Sequence, residues 1–326
     1  MFSEAVVAGA LSPKFLNLII LPTEKCNFRC TYCYEDFAIG RMKDPVVQAI
    51  KKLIARRVPE LAHLSLSWFG GEPLLAKSVV QEIGAYAHEL CLEHGVRFQS
   101  GFTTNGYLLT PELLEYFVSI SHRGYQITLD GDEEWHDKTR IQANRKPTFE
   151  RIWSHLLGYK NLSSDFNVSL RLHIHRDNIE SQRRLYAKLQ SELLIDKRFS
   201  VYFHKVSNLS SEWSIGETVL DREAYLQAID YIMGPRVVEP SGPISEEHLE
   251  GYICYAAKPN SLLIRANGDI GKCTVALSDD RNRIGRILDD GTLDISNPKL
   301  QKWFAGFATM SEQALGCPLS TLSQAH

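Results

Sequence analysis

Three cysteines stand within eight residues in "LPTEKCNFRCTYCYEDF" (residues 21–37), at Cys26, Cys30 and Cys33, in a chain that has seven cysteines in all. An odd number, unevenly placed, resembles clustered metal ligands more than a disulfide framework. Structural zinc takes four ligands, and no histidine or fourth cysteine stands nearby to close such a set. Three thiolates on one loop suit a [4Fe-4S] cluster, whose fourth iron is then left for a ligand that is not protein. The plainer alternatives are three buried small residues or half of a zinc site.

The elements that must position these thiols follow from the pattern around them. With 326 residues and 44% hydrophobic content, the chain has the size for a barrel plus an appendage and can bury a substantial core. Short β-branched and aromatic runs at 15–21, 64–69, 96–103, 124–130, 166–175 and 199–204 read as strands. Segments of helical period fill the gaps at 45–58, 74–93, 111–119, 148–161 and 179–194. Asp44-Pro45 and Thr110-Pro111 each pair a capping side chain with proline at the first helical position. Six strands linked by five helices imply right-handed parallel crossovers, so the fold class is α/β: an open doubly wound sheet or a barrel of fewer than eight strands. In either, chemistry belongs just past the carboxyl ends of the strands. The unusual residues fall there: the cysteines after the first strand, "GGEP" after the second, "TTNG" after the third and "LDGD" after the fourth.

Past residue 205 the pattern changes to a serine-rich connection, one more amphipathic helix at 221–233, and a proline and glycine stretch that suggests a boundary near 240. A smaller segment with Cys254, Cys273 and Cys317 follows. The formal net charge of -3 shows no basic excess for nucleic acid, and the apolar run at 15–22 is too short for a bilayer span and lacks a secretory pattern. A cytoplasmic chain without nucleic-acid or membrane partners is the expectation.

Cys26, Cys30 and Cys33, with aromatic Tyr32 before the last cysteine, resemble the hallmark of radical S-adenosylmethionine (radical SAM) enzymes. The resemblance implies a partial (β/α)6 barrel over residues 1–205, and a [4Fe-4S] cluster whose open iron is chelated by SAM. It also implies cleavage of SAM to a 5'-deoxyadenosyl radical that abstracts hydrogen. Gly70, Gly71 and Glu72 are similar to the family's GGE element, with backbone against the methionine amino group and the glutamate accepting from it. Thr104 and Asn105 resemble residues that face SAM, and Thr128 and Asp130 a pair near the ribose. On the fifth strand Arg171, His173 and His175 share a face, since side chains alternate. Arg171 resembles the residue that holds the SAM carboxylate, a role suited to a forked guanidinium. The two histidines read first as satisfied interior polar residues.

"LDGDEEWHDKTR" (129–140) is similar to peptide-modifying members that carry a SPASM or twitch extension. In "CYAAKPNSLLIRANGDIGKC" Gly268 and Cys273 follow Cys254 as in the first half of the SPASM pattern, but only Cys317 comes after. The resemblance therefore implies, over 241–326 beyond a bridge at 206–240, one auxiliary iron-sulfur cluster on Cys254, Cys273 and Cys317. Cys91 belongs to a helix core. The implied activity is a peptide maturase acting on a ribosomally made precursor by crosslinking, as a cyclophane or thioether, with flavodoxin or ferredoxin as electron donor. Too few residues precede the first strand for a leader-binding domain, so leader binding is expected to use the barrel, the 206–240 bridge or a separate leader-binding protein. Alternatives are formylglycine formation in a sulfatase and a non-catalytic iron-sulfur regulator. The acid or base is unassigned, with Asp130, Glu133 and His175 as candidates by position.

Overall fold

The computed structural model describes residues 2–207, 219–234 and 251–322. After α1 (Glu4–Leu11), strands and helices alternate: β1 (Phe15–Ile20), α2 (Asp44–Arg57), β2 (His63–Trp68), α3 (Lys77–Glu93), β3 (Arg97–Thr104), α4 (Pro111–Ser119), β4 (His122–Leu129). Then come α5 (Glu133–Thr139), α6 (Phe149–Tyr159), β5 (Asn167–Ile174), α7 (Ile179–Glu192), β6 (Phe199–Lys205) and α8 (Arg222–Met233). Each strand begins and ends within about two residues of its expected run, because each is a short run rich in β-branched, aromatic and other apolar residues. At Thr110 the hydroxyl accepts from the Leu113 N–H with proline next in line, as the spacing predicts. Asp44 differs: it is the first helical residue, uncapped Lys43 precedes it, and its carboxylate sits in the positive first turn. α5 was not expected as a helix, although Asp132 caps it by accepting from the Trp135 N–H.

The strand order β1-β2-β3-β4-β5-β6 decides between the two architectures, since a doubly wound sheet reverses direction and this one does not. All five neighbouring pairs are parallel. The helices therefore lie on one face, where Leu64, Leu66, Trp68, Val168, Leu170 and Leu172 pack into one core with Ile50, Ile83 and Leu189. On the other face Ser65, Ser67, Ser169, Arg171 and His173 are half-buried. This is an open six-stranded half-barrel.

The segment expected as a small C-terminal domain has no sheet of its own among the described residues. Its first strand, β7 (Ser261–Ile264), lies parallel to β1 in register Asn17↔Ser261 to Ile20↔Ile264, and the Asn17 amide donates to the Ser261 hydroxyl at 2.9 Å. β8 (Asp269–Gly271), β9 (Gly285–Ile287) and β10 (Leu293–Ile295) then add antiparallel, giving one ten-stranded sheet. Short helices α9 (Asn297–Trp303), α10 (Gly306–Thr309), α11 (Glu312–Gly316) and α12 (Pro318–Leu322) follow. The proline and glycine stretch near 240 and much of the 206–240 bridge lie outside the described residues.

One core residue ties stability to pH. His122 is fully buried, stacks on Trp68 at 6.1 Å, and abuts Gly84 of α3, where a Cβ would come within 2.6 Å of its ring. Burial pulls its pKa down from 6.5 to about 4, so the folded chain keeps it neutral while the unfolded chain takes up a proton below about 6.5. Stability is lost as pH falls through that window, by about 3 kcal/mol at pH 4 from this residue. In His122→Phe the fall in unfolding free energy between pH 7 and pH 4 should shrink by that amount, read from denaturant titrations of the metal-free protein.

Candidate active site

A cavity of about 160 Å³ opens at the carboxyl ends of the barrel strands. Cys26, Cys30, Tyr32 and Cys33 from the loop after β1 line it together with Gly70, Gly71, Thr104, Asn105, Thr128 and Arg171. Residues far apart in sequence but alike in their place after a strand thus meet in one space. Gly70 has φ +110°, and a Cβ there would lie 2.3 Å from the Thr23 carbonyl oxygen. A Cβ on Gly71 would lie 2.6 Å from the Lys25 carbonyl oxygen. Only bare backbone lets the β2 turn lie against the segment that leads into Cys26.

Glu72 is completely buried in the wall behind that cavity. Its carboxylate accepts from the Thr104 hydroxyl at 2.9 Å, the Asn105 N–H at 2.8 Å and the Leu74 N–H at 3.0 Å. Burial raises its pKa, and the Asn105 and Leu74 N–H groups oppose the rise. Three protein donors thus meet this carboxylate, and it joins the ends of β2 and β3. Asn105 passes the constraint on, donating to Asn27 at 2.9 Å and lying 3.9 Å from the Cys26 sulfur.

Asp130, also buried, anchors a second network. Its carboxylate accepts from the Tyr32 hydroxyl at 2.7 and 2.8 Å and from the Thr139 hydroxyl at 2.8 Å. Buried Arg140 donates to the Tyr32 oxygen at 2.6 Å. The aromatic residue of the cysteine motif is thereby locked between a carboxylate and a guanidinium. His173 stands edge-on to Tyr32 at 5.2 Å, with Nδ1 3.6 Å from Asp130. Both its ring nitrogens lack a hydrogen bond, contrary to the expected satisfied interior histidine. Burial, and then Arg171, holds it neutral well below the usual range. Glu133 and His175 do not line the cavity: Glu133 is exposed in the first turn of α5, and the His175 ring packs on Trp135 at 5.5 Å. A helix start at Asp132 turns Glu133 to solvent, and β5 ends one residue before His175.

The cysteines suit a cluster rather than bare thiolates. Burial pushes Cys26 up to about 12 and Cys30 up to about 11, and it raises Cys33 as well. A thiolate at these positions needs positive charge, which bound iron supplies. The Phe28 N–H lies 3.3 Å from the Cys26 sulfur, and the Glu35 N–H points at Cys33, donors of the kind that tune cluster sulfur. Among the described residues no three His, Cys, Asp or Glu side chains converge on a single metal ion. A four-iron cluster does not ask that of them, since each cysteine binds a different iron.

Cys254 feels the charge of Cys317, and Cys273 that of Cys254 and Cys317. The Ala256 N–H and Tyr252 hydroxyl are hydrogen-bonded to Cys254, and the Val275 N–H and Tyr255 hydroxyl to Cys273. Burial pulls the adjacent Lys272 down to about 7, against the pull of Cys254. Cys91 is buried in α3, away from both groups.

The sequence model described as the Radical SAM superfamily matches residues 20–188, just over half of the chain, and takes in the cavity-lining residues from Cys26 to His173. The chain belongs to the radical SAM superfamily. Radical SAM enzymes use a [4Fe-4S] cluster and SAM. Among curated relatives, the cysteine-type anaerobic sulfatase-maturating enzyme of Clostridium novyi (strain NT) is 27% identical over 165 residues, 48% of this chain and 43% of the relative. The Fe-coproporphyrin III synthase of Methanosarcina barkeri is 26% identical over 212 residues, 65% of this chain and 49% of the relative. The matches thus span less than half the length of these curated relatives. Among solved structures, native anSMEcpe with bound AdoMet superposes with a TM-score of 0.66 at 19% identity, over 88% of this chain and 80% of that one. Streptococcus suis SuiB bound to precursor peptide SuiA gives 0.59 at 19%, over 97% and 72%. Both likenesses show the fold. No helix among the described residues is long and apolar enough to cross a membrane.

In this radical SAM fold four residues went unmarked in the sequence: Arg140 and His204, which line the cavity, and the paired Glu24 and Arg265. Arg140 had a readable signal, since an Asp-capped helix starting at 133 carries it back over the cysteine loop. Glu24–Arg265 had none. Glu24, 2% exposed in its side chain, accepts from Nε and Nη2 of Arg265 at 3.0 and 2.5 Å while Nη1 donates to the Leu277 carbonyl, fastening the cysteine loop to the turn after β7. Arg265→Met strands a buried carboxylate and should cost roughly 3–5 kcal/mol of unfolding free energy, measured by denaturant titration. Arg265→Met paired with Glu24→Leu should recover most of it.

Proposed function

We propose that this radical SAM enzyme is a peptide maturase that abstracts hydrogen from a ribosomally synthesised precursor and joins residues within it, as a cyclophane or thioether crosslink. The observation that carries the reading is the convergence of Cys26, Cys30 and Cys33 with Gly70, Gly71, Thr104, Thr128 and Arg171 on one cavity at the strand ends. When bound, SAM and its cluster supply hydrogen abstraction from an unactivated carbon; the chain supplies placement and exclusion of water. Cys26, Cys30 and Cys33 would hold the cluster. The bare backbone of Gly70 and Gly71 leaves room for the methionine end of SAM, and Arg171 offers a guanidinium for its carboxylate. Tyr32, pinned by Asp130 and Arg140, is a rigid wall for the same ligand. Neutral His173 presents the cavity with unpaired ring nitrogens that suit a proton transfer.

A peptide substrate is supported by the fold neighbours: anSMEcpe is known with a Kp18Cys peptide and SuiB with its precursor peptide SuiA. Cys254, Cys273 and Cys317 would hold one auxiliary iron-sulfur cluster, with electrons supplied by a flavodoxin or ferredoxin and leader binding aided by a separate protein. The sequence relatives favour a second reading, oxidation of a sulfatase cysteine or serine to formylglycine.

Anaerobically reconstituted protein should release 5'-deoxyadenosine from SAM on reduction; none released by a fully loaded protein overturns the reading. The Cys26, Cys30, Cys33 triple alanine variant should lose this release and keep the iron of the auxiliary site. Coexpression with a short precursor encoded beside the gene should give a peptide lighter by two hydrogens per crosslink in mass spectrometry. A hydrazide-reactive aldehyde on a sulfatase-motif peptide, without crosslinking, selects the second reading instead.

A further inference from the structure

We infer that Asn178 is a positioning residue for the radical SAM reaction: it takes over where the β4–β5 ladder runs out and so holds the cavity wall made by Tyr32 and His173. The inference rests on the reading above that SAM occupies this cavity, and it holds whichever substrate follows. The parallel pairing of β4 with β5 ends at Leu129↔Leu172, so the carbonyls of Asp130 and His173 lie beyond its last pair. Asn178, completely buried, supplies the missing donors: its Nδ2 donates to the Asp130 carbonyl at 2.9 Å and to the His173 carbonyl at 2.8 Å. Its Oδ1 accepts from the His175 N–H at 3.1 Å, which closes the turn between β5 and α7. Gln182, one turn further along and also completely buried, donates to the same His173 carbonyl at 2.7 Å and to the Leu129 carbonyl at 3.3 Å.

The plain alternative for an asparagine at this place is a helix cap. Asn178 does stand at the N-cap of α7, a position that favours asparagine for its side-chain acceptor, yet its side chain makes no capping bond to that helix. Its amide is committed to the strand ends instead, and the two residues it holds there govern the cavity wall. Asp130 fixes Tyr32 through carboxylate contacts at 2.7 and 2.8 Å, and His173 stands edge-on to the same ring at 5.2 Å. Tyr32 and His173 both line the cavity. The rest of the first α7 turn grips the adjoining backbone: the Ser181 hydroxyl accepts from the Asp132 N–H at 2.9 Å and donates to the Asp132 carboxylate at 2.6 Å. A Cβ on Gly131 would come within 2.3 Å of that hydroxyl oxygen. A shift of α7 against β5 is therefore a shift of Asp130 and of the Tyr32 ring, and small displacements of groups that orient a ligand cost rate.

The test compares the full chain, anaerobically reconstituted with iron and sulfide, with its Asn178→Asp and Ile127→Val variants. Aspartate keeps the size and the acceptor for His175 but sets an oxygen against two carbonyl oxygens. Ile127→Val trims the buried core face of β4 and serves as the stability control. With reductant and SAM but no peptide, the KM for SAM in 5'-deoxyadenosine release should rise by roughly tenfold in Asn178→Asp and stay at the parent value in Ile127→Val. In the same chains labelled with 3-fluorotyrosine, before reduction, the Tyr32 fluorine resonance should move in the first variant and not in the second; its absence from Tyr32→Phe assigns it. Asn178→Ser, which keeps one donor, carries the same comparison if the aspartate variant does not fold. The parent KM in a folded Asn178 variant overturns the inference. So does a raised KM with an unmoved Tyr32 resonance, or one matched by Ile127→Val. Release of no 5'-deoxyadenosine by the loaded parent chain overturns instead the placement of SAM in this cavity.

Discussion

The buried carboxylate of Glu72 is the constraint on which the site depends. A carboxylate without exposure is tolerated only where donors surround it, and the donors here come from both ends of the gap that the site must bridge: Leu74 beside it, Thr104 and Asn105 at the end of β3. Its own N–H donates to the Lys25 carbonyl at 3.0 Å, and the two preceding glycines let that approach happen. One residue therefore sets the separation of β2 and β3 at their carboxyl ends and the path by which the chain enters Cys26. Asn105 extends the same framework to Asn27, so the first cysteine of the motif is held from two sides.

Electrostatics is shared out among separate networks. Tyr32, Asp130, Thr139 and Arg140 neutralise one another in a closed set, which makes them a rigid boundary with little freedom to exchange protons. His173 stands beside that set without joining it. Glu24 and Arg265 form another closed pair, and they matter mechanically, because they link the loop bearing one group of cysteines to the segment bearing the other. The parallel pairing of β7 with β1 makes the same link through backbone. A radical SAM barrel and its C-terminal appendage are here one continuous sheet, so the spacing between the two cysteine groups is built into strand register rather than left to a hinge.

A maturase reading and a sulfatase-maturating reading draw on the same cavity, as expected of a fold that supplies placement while its cofactors carry the chemistry. The features that differ between such activities lie in whatever reaches the half-open polar face of the sheet, where Ser67, Ser169 and Arg171 stand in place of the bulky aliphatic layers of a closed barrel.

The six parallel strands, their connecting helices and the location of chemistry at strand ends were legible in the sequence, because period, capping and turn residues are local signals. Cys26, Cys30, Cys33, Gly70, Gly71, Thr104, Asn105, Thr128 and Arg171 could be named from short motifs for the same reason. Strand order was not legible, nor was the attachment of β7 to β1, since hydrogen bonding between residues some 240 apart leaves no periodic trace in either segment. The surroundings of Glu72, Glu133, His173 and His175 were likewise set by tertiary structure. A motif states which side chain is present, but whether its polar atoms meet protein, solvent or a cavity depends on what the rest of the chain packs against it, and that is decided only when distant segments compete for the same lone pairs and the same space.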